Sequence, residues 1–257
     1  MVRRSLFVEV DGYCEDYASD LRNADLCMKL SDKGYNIGKG GVVMKKLYLI
    51  GDSIRMGYCE YVKAALDGFA EVRWHDGNAK FAEYVLYSIG DWEHKSRFGS
   101  DVACVHWNTG LHDVIRTAEE EPITPTEIYA YYIDRICKRL KRYYPEAKMI
   151  FATSTPVQEE LYDYWFSRKN ADIDERNAAA VKIVKEYGME VNDLNALLRD
   201  KPVSIFSDKT HFNTPEAREL ITKAVLKSVC PALGIDYDDL TMPDFTKELI
   251  ADTEILK

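Results

Sequence analysis

Apolar positions along the chain follow two periods in turn. From residue 44 onward, short apolar runs of strand length are separated by longer stretches with helical spacing. Lys46–Ile50 (KLYLI) reads as a first strand, Glu60–Phe69 as a helix, Glu71–Trp74 as a short second strand and Phe81–Trp92 as a helix. Asp101–Trp107 (DVACVHW) is a nearly continuous apolar run, the pattern of a strand buried on both faces. Thr126–Tyr143 carries Ile128, Tyr132, Ile136 and Leu140 at four-residue intervals, which predicts a long amphipathic helix. Lys148–Ala152 is the fourth strand. Ile173–Tyr187 is a helix stopped by Gly188, and Glu190–Asp193 is a short fifth strand. Pro215–Val229 is the last helix, with proline at its first position. This βαβα rhythm predicts an α/β domain: a parallel sheet with helices on both faces.

Residues 1–43 break the rhythm. They hold the glycines Gly12, Gly34, Gly38, Gly40 and Gly41 and one short apolar stretch, SLFVEV. Met44-Lys45-Lys46 followed at once by a strand has the look of a translation start. Residues 1–43 are therefore read as an extension, arising from an upstream start or forming an N-terminal hairpin. Residues 44–235 are read as one domain and 236–257 as an acidic C-terminal tail.

Composition narrows the classes. The 257 residues are 46% hydrophobic and 30% charged, ordinary globular values, with a formal net charge of -9. An acidic chain repels phosphate backbones and anionic lipid, so neither nucleic acid nor a membrane surface is an expected partner. No apolar run is long enough to span a bilayer. Glu9 and Asp11 interrupt the N-terminal apolar stretch, so no signal peptide is expected. The six cysteines contain no CxxC pair, which points to reduced thiols and a cytoplasmic protein.

In parallel sheets of this kind, ligands bind beyond the carboxyl ends of the strands. Gly51-Asp52-Ser53 follows the first strand, Asn108-Thr109-Gly110-Leu111-His112-Asp113 the third, and Asp208-Lys209-Thr210-His211 precedes the last helix. Ser53 stands where a helix begins, so it is either a cap or a nucleophile favoured by the helix dipole. Asp208 and His211, three residues apart on a turn, can form the orienter and base of a triad. Asn108 is either a turn residue or a side-chain donor to an oxyanion. His106, His112, Asp113 and His211 raise a metal alternative, but no HExxH-like spacing supports it. Neither a metal nor a cofactor is expected.

Taken together and in this order, these blocks resemble the SGNH (GDSL-like) hydrolases, a family of esterases, lipases and carbohydrate deacetylases. The resemblance spans about residues 44 to 230. It implies a three-layer α/β/α sandwich with a five-stranded parallel sheet in flavodoxin-like order 2-1-3-4-5. It also implies a catalytic triad of Ser53, Asp208 and His211. The oxyanion hole would draw on the Ser53 N–H, Asn108 and a backbone N–H near Gly77 or Ala79. Two departures stand out. The third block, usually Gly-x-Asn-Asp, reads His106-Trp107-Asn108-Thr109 here, and the stretch that should supply the second block has Gly77 as its one glycine. The following Gly110-Leu111-His112-Asp113 is similar to a variant in carbohydrate-esterase-like members. The implied activity is hydrolysis of a short acyl ester, acetyl in particular, on a small molecule or glycan. Arg55, His112 and Trp165 are candidate substrate contacts. A non-catalytic binding module on the same fold and an acyltransferase using the same triad are the alternatives. No GxSxG elbow surrounds Ser53, which argues against an ordinary α/β-hydrolase.

Overall fold

The structure is a computed structural model that describes residues 37–38, 41–42, 44–96, 99–118 and 121–249. The extension read over residues 1–43 lies almost wholly outside the described residues. Within it, Ile37–Gly38 and Gly41–Val42 form a two-residue antiparallel ladder.

Five strands form one parallel sheet: β1 (Lys45–Ile50), β2 (Ala70–Trp74), β3 (Cys104–Trp107), β4 (Lys148–Ala152) and β5 (Glu190–Asn192). Their spatial order is 2-1-3-4-5, the order the resemblance implies. In register, Leu47 of β1 lies opposite Val72 of β2 and Cys104 of β3. The helices are α1 (Ser53–Ala65), α2 (Ala82–Ser96), α3 (Thr126–Tyr143), α4 (Asn170–Glu186), α5 (Leu194–Arg199) and α6 (Pro215–Leu233).

Strand alternation divides the core into two layers. Leu47 and Leu49 face one side, with Val62 of α1 and Ile221 and Val225 of α6. Tyr48 and Ile50 face the other, with Val85 of α2, Ile133 and Ile136 of α3 and Ala180 of α4. Cys59, Cys104, Cys137 and Cys230 are free thiols buried in these layers. Burial pushes Cys104 and Cys137 up to about 12. Among the described residues, no helix is long and apolar enough to cross a membrane.

Several element readings change. The first helix begins at Ser53, not Glu60, because the Asp52 carboxylate accepts the Ile54 N–H (3.0 Å) and caps it there. Its buried stripe is Ile54, Tyr58, Val62 and Ala65, and it ends before Gly68 (φ 91°). In α3 the buried stripe is Tyr129, Ile133, Ile136 and Leu140, so Ile128 turns outward. The strand expected from Asp101 begins at Cys104. Asp193, read as a strand end, instead caps α5 by accepting the Ala196 N–H (3.1 Å), a helix the apolar pattern did not reveal. The last helix runs on to Leu233 and stops at Gly234, whose left-handed backbone (φ 65°) closes it.

The C-terminal segment, read as a tail apart from the domain, packs onto it as far as Leu249. Phe245 is buried and its ring stacks on Tyr61 of α1, with centroids 5.5 Å apart. Tyr61 Oη donates to the Lys247 carbonyl (2.9 Å) and accepts the Leu249 N–H (3.3 Å). Two apolar rings thus bring an acidic stretch down beside the carboxyl ends of the strands.

Candidate active site

The turn after β1 is tight. A Cβ at Gly51 would overlap Asn108 Oδ1 and Arg55 Cβ, so only glycine lets the third-strand loop close over this turn. His75 holds it from beneath. The His75 ring stacks on Trp92 (3.9 Å between centroids) and is buried. Nδ1–H donates to the Asp76 carbonyl (3.0 Å), so Nε2 accepts from the Gly51 N–H (3.2 Å). Burial, with the Arg55 charge beside it, pushes His75 down to about 3 and keeps it neutral.

Ser53 therefore opens α1, where a backbone N–H precedes the first intrahelical acceptor. Across from it, the turn before α6 presents His211. Its Nε2 lies 2.8 Å from Ser53 Oγ, and its Nδ1 lies 2.8 Å from Asp208 Oδ2. The second Asp208 oxygen accepts the N–H groups of Thr210 (2.7 Å) and His211 (2.9 Å). Burial alone would raise the Asp208 carboxyl. The Thr210 N–H and the His211 contacts outweigh it and hold Asp208 below the usual carboxylate range. The Nδ1 contact fixes the tautomer in which Nε2 faces Ser53 as a proton acceptor. A serine hydroxyl so placed can lose its proton to His211 while attacking a carbonyl carbon.

Asn108 follows β3. Its N–H donates to the Ile50 carbonyl (3.0 Å), and its carboxamide lies against Gly51, two residues from Ser53. The second-block stretch is arranged otherwise than expected. The Ala79 N–H donates to the Gly51 carbonyl (3.1 Å) and is spent, so Ala79 is not an oxyanion donor. Gly77 (φ 70°) uses its carbonyl to accept from Arg55. The residue of this stretch that lines the cleft beside Ser53 is Asn78. Its Oδ1 accepts the N–H of Lys80 (2.7 Å), a non-glycine residue held at φ 52° just before α2.

Two proposed substrate contacts do not reach the site. Arg55 is buried, and its guanidinium turns to the His75 and Gly77 carbonyls and Cys59. Positions 53 and 55 lie on opposite faces of a helix, so Arg55 points away from Ser53. Trp165 is 74% exposed at a loop tip, while its neighbour Phe166 lines the cleft. Asp163 accepts the N–H groups of both residues (2.9 and 3.0 Å), which fixes a turn that sends successive side chains to opposite sides. His112 does line the cleft. Burial holds it below the usual imidazole range, the nearby Asp52 opposes this, and the charges of Arg168, His211 and Lys80 reinforce it.

The residues of the metal alternative do not converge. Asp113 is buried and accepts the Ala82 N–H at the start of α2 (3.0 Å). Burial pushes it up to about 7. His106 lies inside the fold rather than at its mouth. It accepts from Asn192 Nδ2 (3.1 Å) and donates to Tyr58 Oη (3.3 Å), and burial holds it at about 3. Among the described residues, no three of His, Cys, Asp and Glu are grouped to hold a metal.

The cleft in front of the triad measures about 730 Å³ and is also lined by Leu161, Arg168 and Lys209, which the motifs did not single out. A second hollow of about 280 Å³ opens on the other side of Ser53, between Met56, Tyr61, Arg218 and the C-terminal Glu248 and Leu249.

This architecture has known counterparts. A lipase/acylhydrolase from Enterococcus faecalis is 16% identical, with a TM-score of 0.59 over 78% of this chain and 99% of that one. An acetylxylan esterase from Geobacillus stearothermophilus is 15% identical, with a TM-score of 0.54 over 78% and 97%. A GDSL-like lipase from Bacteroides thetaiotaomicron is 15% identical, with a TM-score of 0.54 over 73% and 89%. No family model matches the sequence, and no curated protein matches it. The chain has the fold of the SGNH hydrolases.

Proposed function

We propose that the protein is a serine ester hydrolase of the SGNH type that removes a short acyl group, acetyl foremost, from a carbohydrate. The observation that carries this reading is the hydrogen-bonded line from Ser53 through His211 to Asp208, with both contacts at 2.8 Å. The acetylxylan esterase among the proteins of like fold supports the acetyl and carbohydrate assignment.

In this reading His211 takes the Ser53 proton as Oγ attacks the ester carbonyl, and Asp208 steadies the imidazolium. The Ser53 N–H and the Asn108 carboxamide stabilise the oxyanion, with a third donor from Asn78, which lines the cleft beside Ser53. His211 then returns the proton to the leaving alcohol, and water attacks the acyl-enzyme by the same route.

A fluorophosphonate probe is expected to label Ser53. Ser53→Ala should abolish labelling and lower turnover of p-nitrophenyl acetate by about a thousandfold or more. Its thermal midpoint should stay near that of the parent. Undiminished esterase activity in Ser53→Ala refutes the assignment. A well-folded parent that neither labels nor turns over ester speaks for the binding-module alternative. Product analysis with a competing alcohol separates hydrolysis from acyl transfer.

A further inference from the structure

The 730 Å³ cleft is more cationic than the chain that builds it. The protein as a whole carries a net charge of -9, yet Arg168 and Lys209 meet beside the nucleophile. Arg168 is only 5% exposed. Its Nε donates to the Leu111 carbonyl (2.7 Å) and its Nη1 to Tyr162 Oη (3.0 Å), both neutral acceptors. The guanidinium lies 5.2 Å from the centroid of Phe166 and 5.8 Å from that of Tyr162. The Lys209 ammonium shares the same two rings, at 4.5 Å from Tyr162 and 5.9 Å from Phe166. Tyr162 is itself anchored by a 2.5 Å hydrogen bond to Thr210.

Among the described residues, neither cation has a carboxylate within ion-pair distance, and the nearest acid in the lining, Asp208, is committed to His211. A buried guanidinium without a counter-charge is costly, and aromatic faces offset that cost only in part. Two cations held by neutral groups at the mouth of a catalytic cleft therefore form a surface waiting for an anion. The apolar rim, Leu161 and Phe166, offers a face for a flat or ring-shaped body attached to it.

We propose that the cleft recognises a carboxylate on the substrate, so that the ester presented to Ser53 is carried by an acid, an O-acylated sugar acid in the carbohydrate case. Lys209 and Arg168 bind the carboxylate, Phe166 and Leu161 pack on the ring, and the acylated oxygen falls at Ser53. This rests on the esterase reading for the chemistry, but anion recognition is a separate property of the cleft.

The experiment uses the full chain and two matched pairs: 4-acetoxybenzoate against its methyl ester, and acetylated glucuronic acid against acetylated glucose. The expected result is a preference for the anion of about tenfold or more in kcat/KM, the scale of a desolvated charge pair. The preference should reside in KM. It should fall to about twofold or less in Lys209→Met, reverse in Lys209→Glu, and shrink at ~0.5 M salt. A preference in both pairs assigns the site to carboxylates at large, and one in the sugar pair alone narrows it to sugar acids. No preference in the parent, or one unchanged in Lys209→Met, overturns the proposal. If no ester is turned over, calorimetric titration of Ser53→Ala with the same pairs still decides anion recognition. Loss of turnover and of fluorophosphonate labelling then counts against the esterase reading alone.

Discussion

Two walls meet at Ser53, and each is built around an arginine and a tyrosine. On the cleft side, Arg168 bonds Tyr162, and among the described residues no carboxylate closes the charge. On the C-terminal side, Arg218 lies 5.5 Å from the centroid of Tyr61 and faces Glu248 at 3.8 Å. The same pair of side chains does different work according to the third member. With a carboxylate the charge is answered within the molecule; without one it is offered to whatever enters.

The largest effect should come from the group both walls share. His211→Gln removes the base and is expected to lower kcat/KM by about 10⁴ or more for neutral and anionic esters alike. A loss confined to one ester class would break the symmetry of the walls about the triad.

Next comes the clamp on the C-terminal segment. Phe245→Ala deletes the ring stacked on Tyr61 and should cost about 3 kcal/mol by urea unfolding. It should also open the smaller hollow and raise the ratio of butyrate to acetate turnover. The anion preference should stay unchanged, because that property belongs to the other wall.

Acid should act on the platform beneath both walls. His75 and His106 sit at about 3 in the fold, whereas an unfolded histidine titrates near 6.5. Between those values the unfolded chain binds protons the native state does not, so stability falls as pH falls, by about 1.4 kcal/mol per pH unit for each ring. Asp113 works in the opposite sense. Held at about 7 against an ordinary 3.8, it keeps a proton in the fold that the unfolded chain releases, which offsets about one histidine. His112, also held below the usual imidazole range, adds to the loss, so a net loss of at least about 1.4 kcal/mol per unit is expected from pH 6.5 down to about 4. Urea melts at three pH values check it, and a flat profile would remove the neutral-histidine platform.

The smallest effect should come from the exposed half of the clamp. Glu248 is 74% exposed, so Glu248→Gln should change stability by less than about 0.5 kcal/mol. A larger change would mean that the ion pair, not the stacked rings, holds the segment.

Much of this was legible in the sequence because it rests on local pattern. The strands and the Ser53, Asn108 and Asp208-x-x-His211 blocks follow from apolar runs and from residues placed just after them, while the strand order is what the family resemblance implies. What was missed depends on direction or on distant packing. Arg55 is near Ser53 in sequence but on the opposite face of α1. Trp165 and Phe166 are neighbours sent to opposite sides by one Asp163 turn. Lys209 had a signal, since it sits inside the Asp208–His211 block, while Arg168 is a lone arginine in a loop. The docking of Phe245 on Tyr61 joins residues 184 positions apart, beyond the reach of any periodicity.

The borders of the sheet carry a last consequence, for association. β5 is three residues long and α5 begins almost at once after it. β2, the other border, carries Glu71 and Arg73 paired at 2.5 Å. A strand from a second molecule would find few free backbone groups at one edge and charged side chains at the other, the devices by which natural sheets resist end-to-end growth. Self-assembly of this domain is therefore expected through helices and loops, leaving the strand ladder, and the turns that carry the triad at its end, closed to fibre-like pairing.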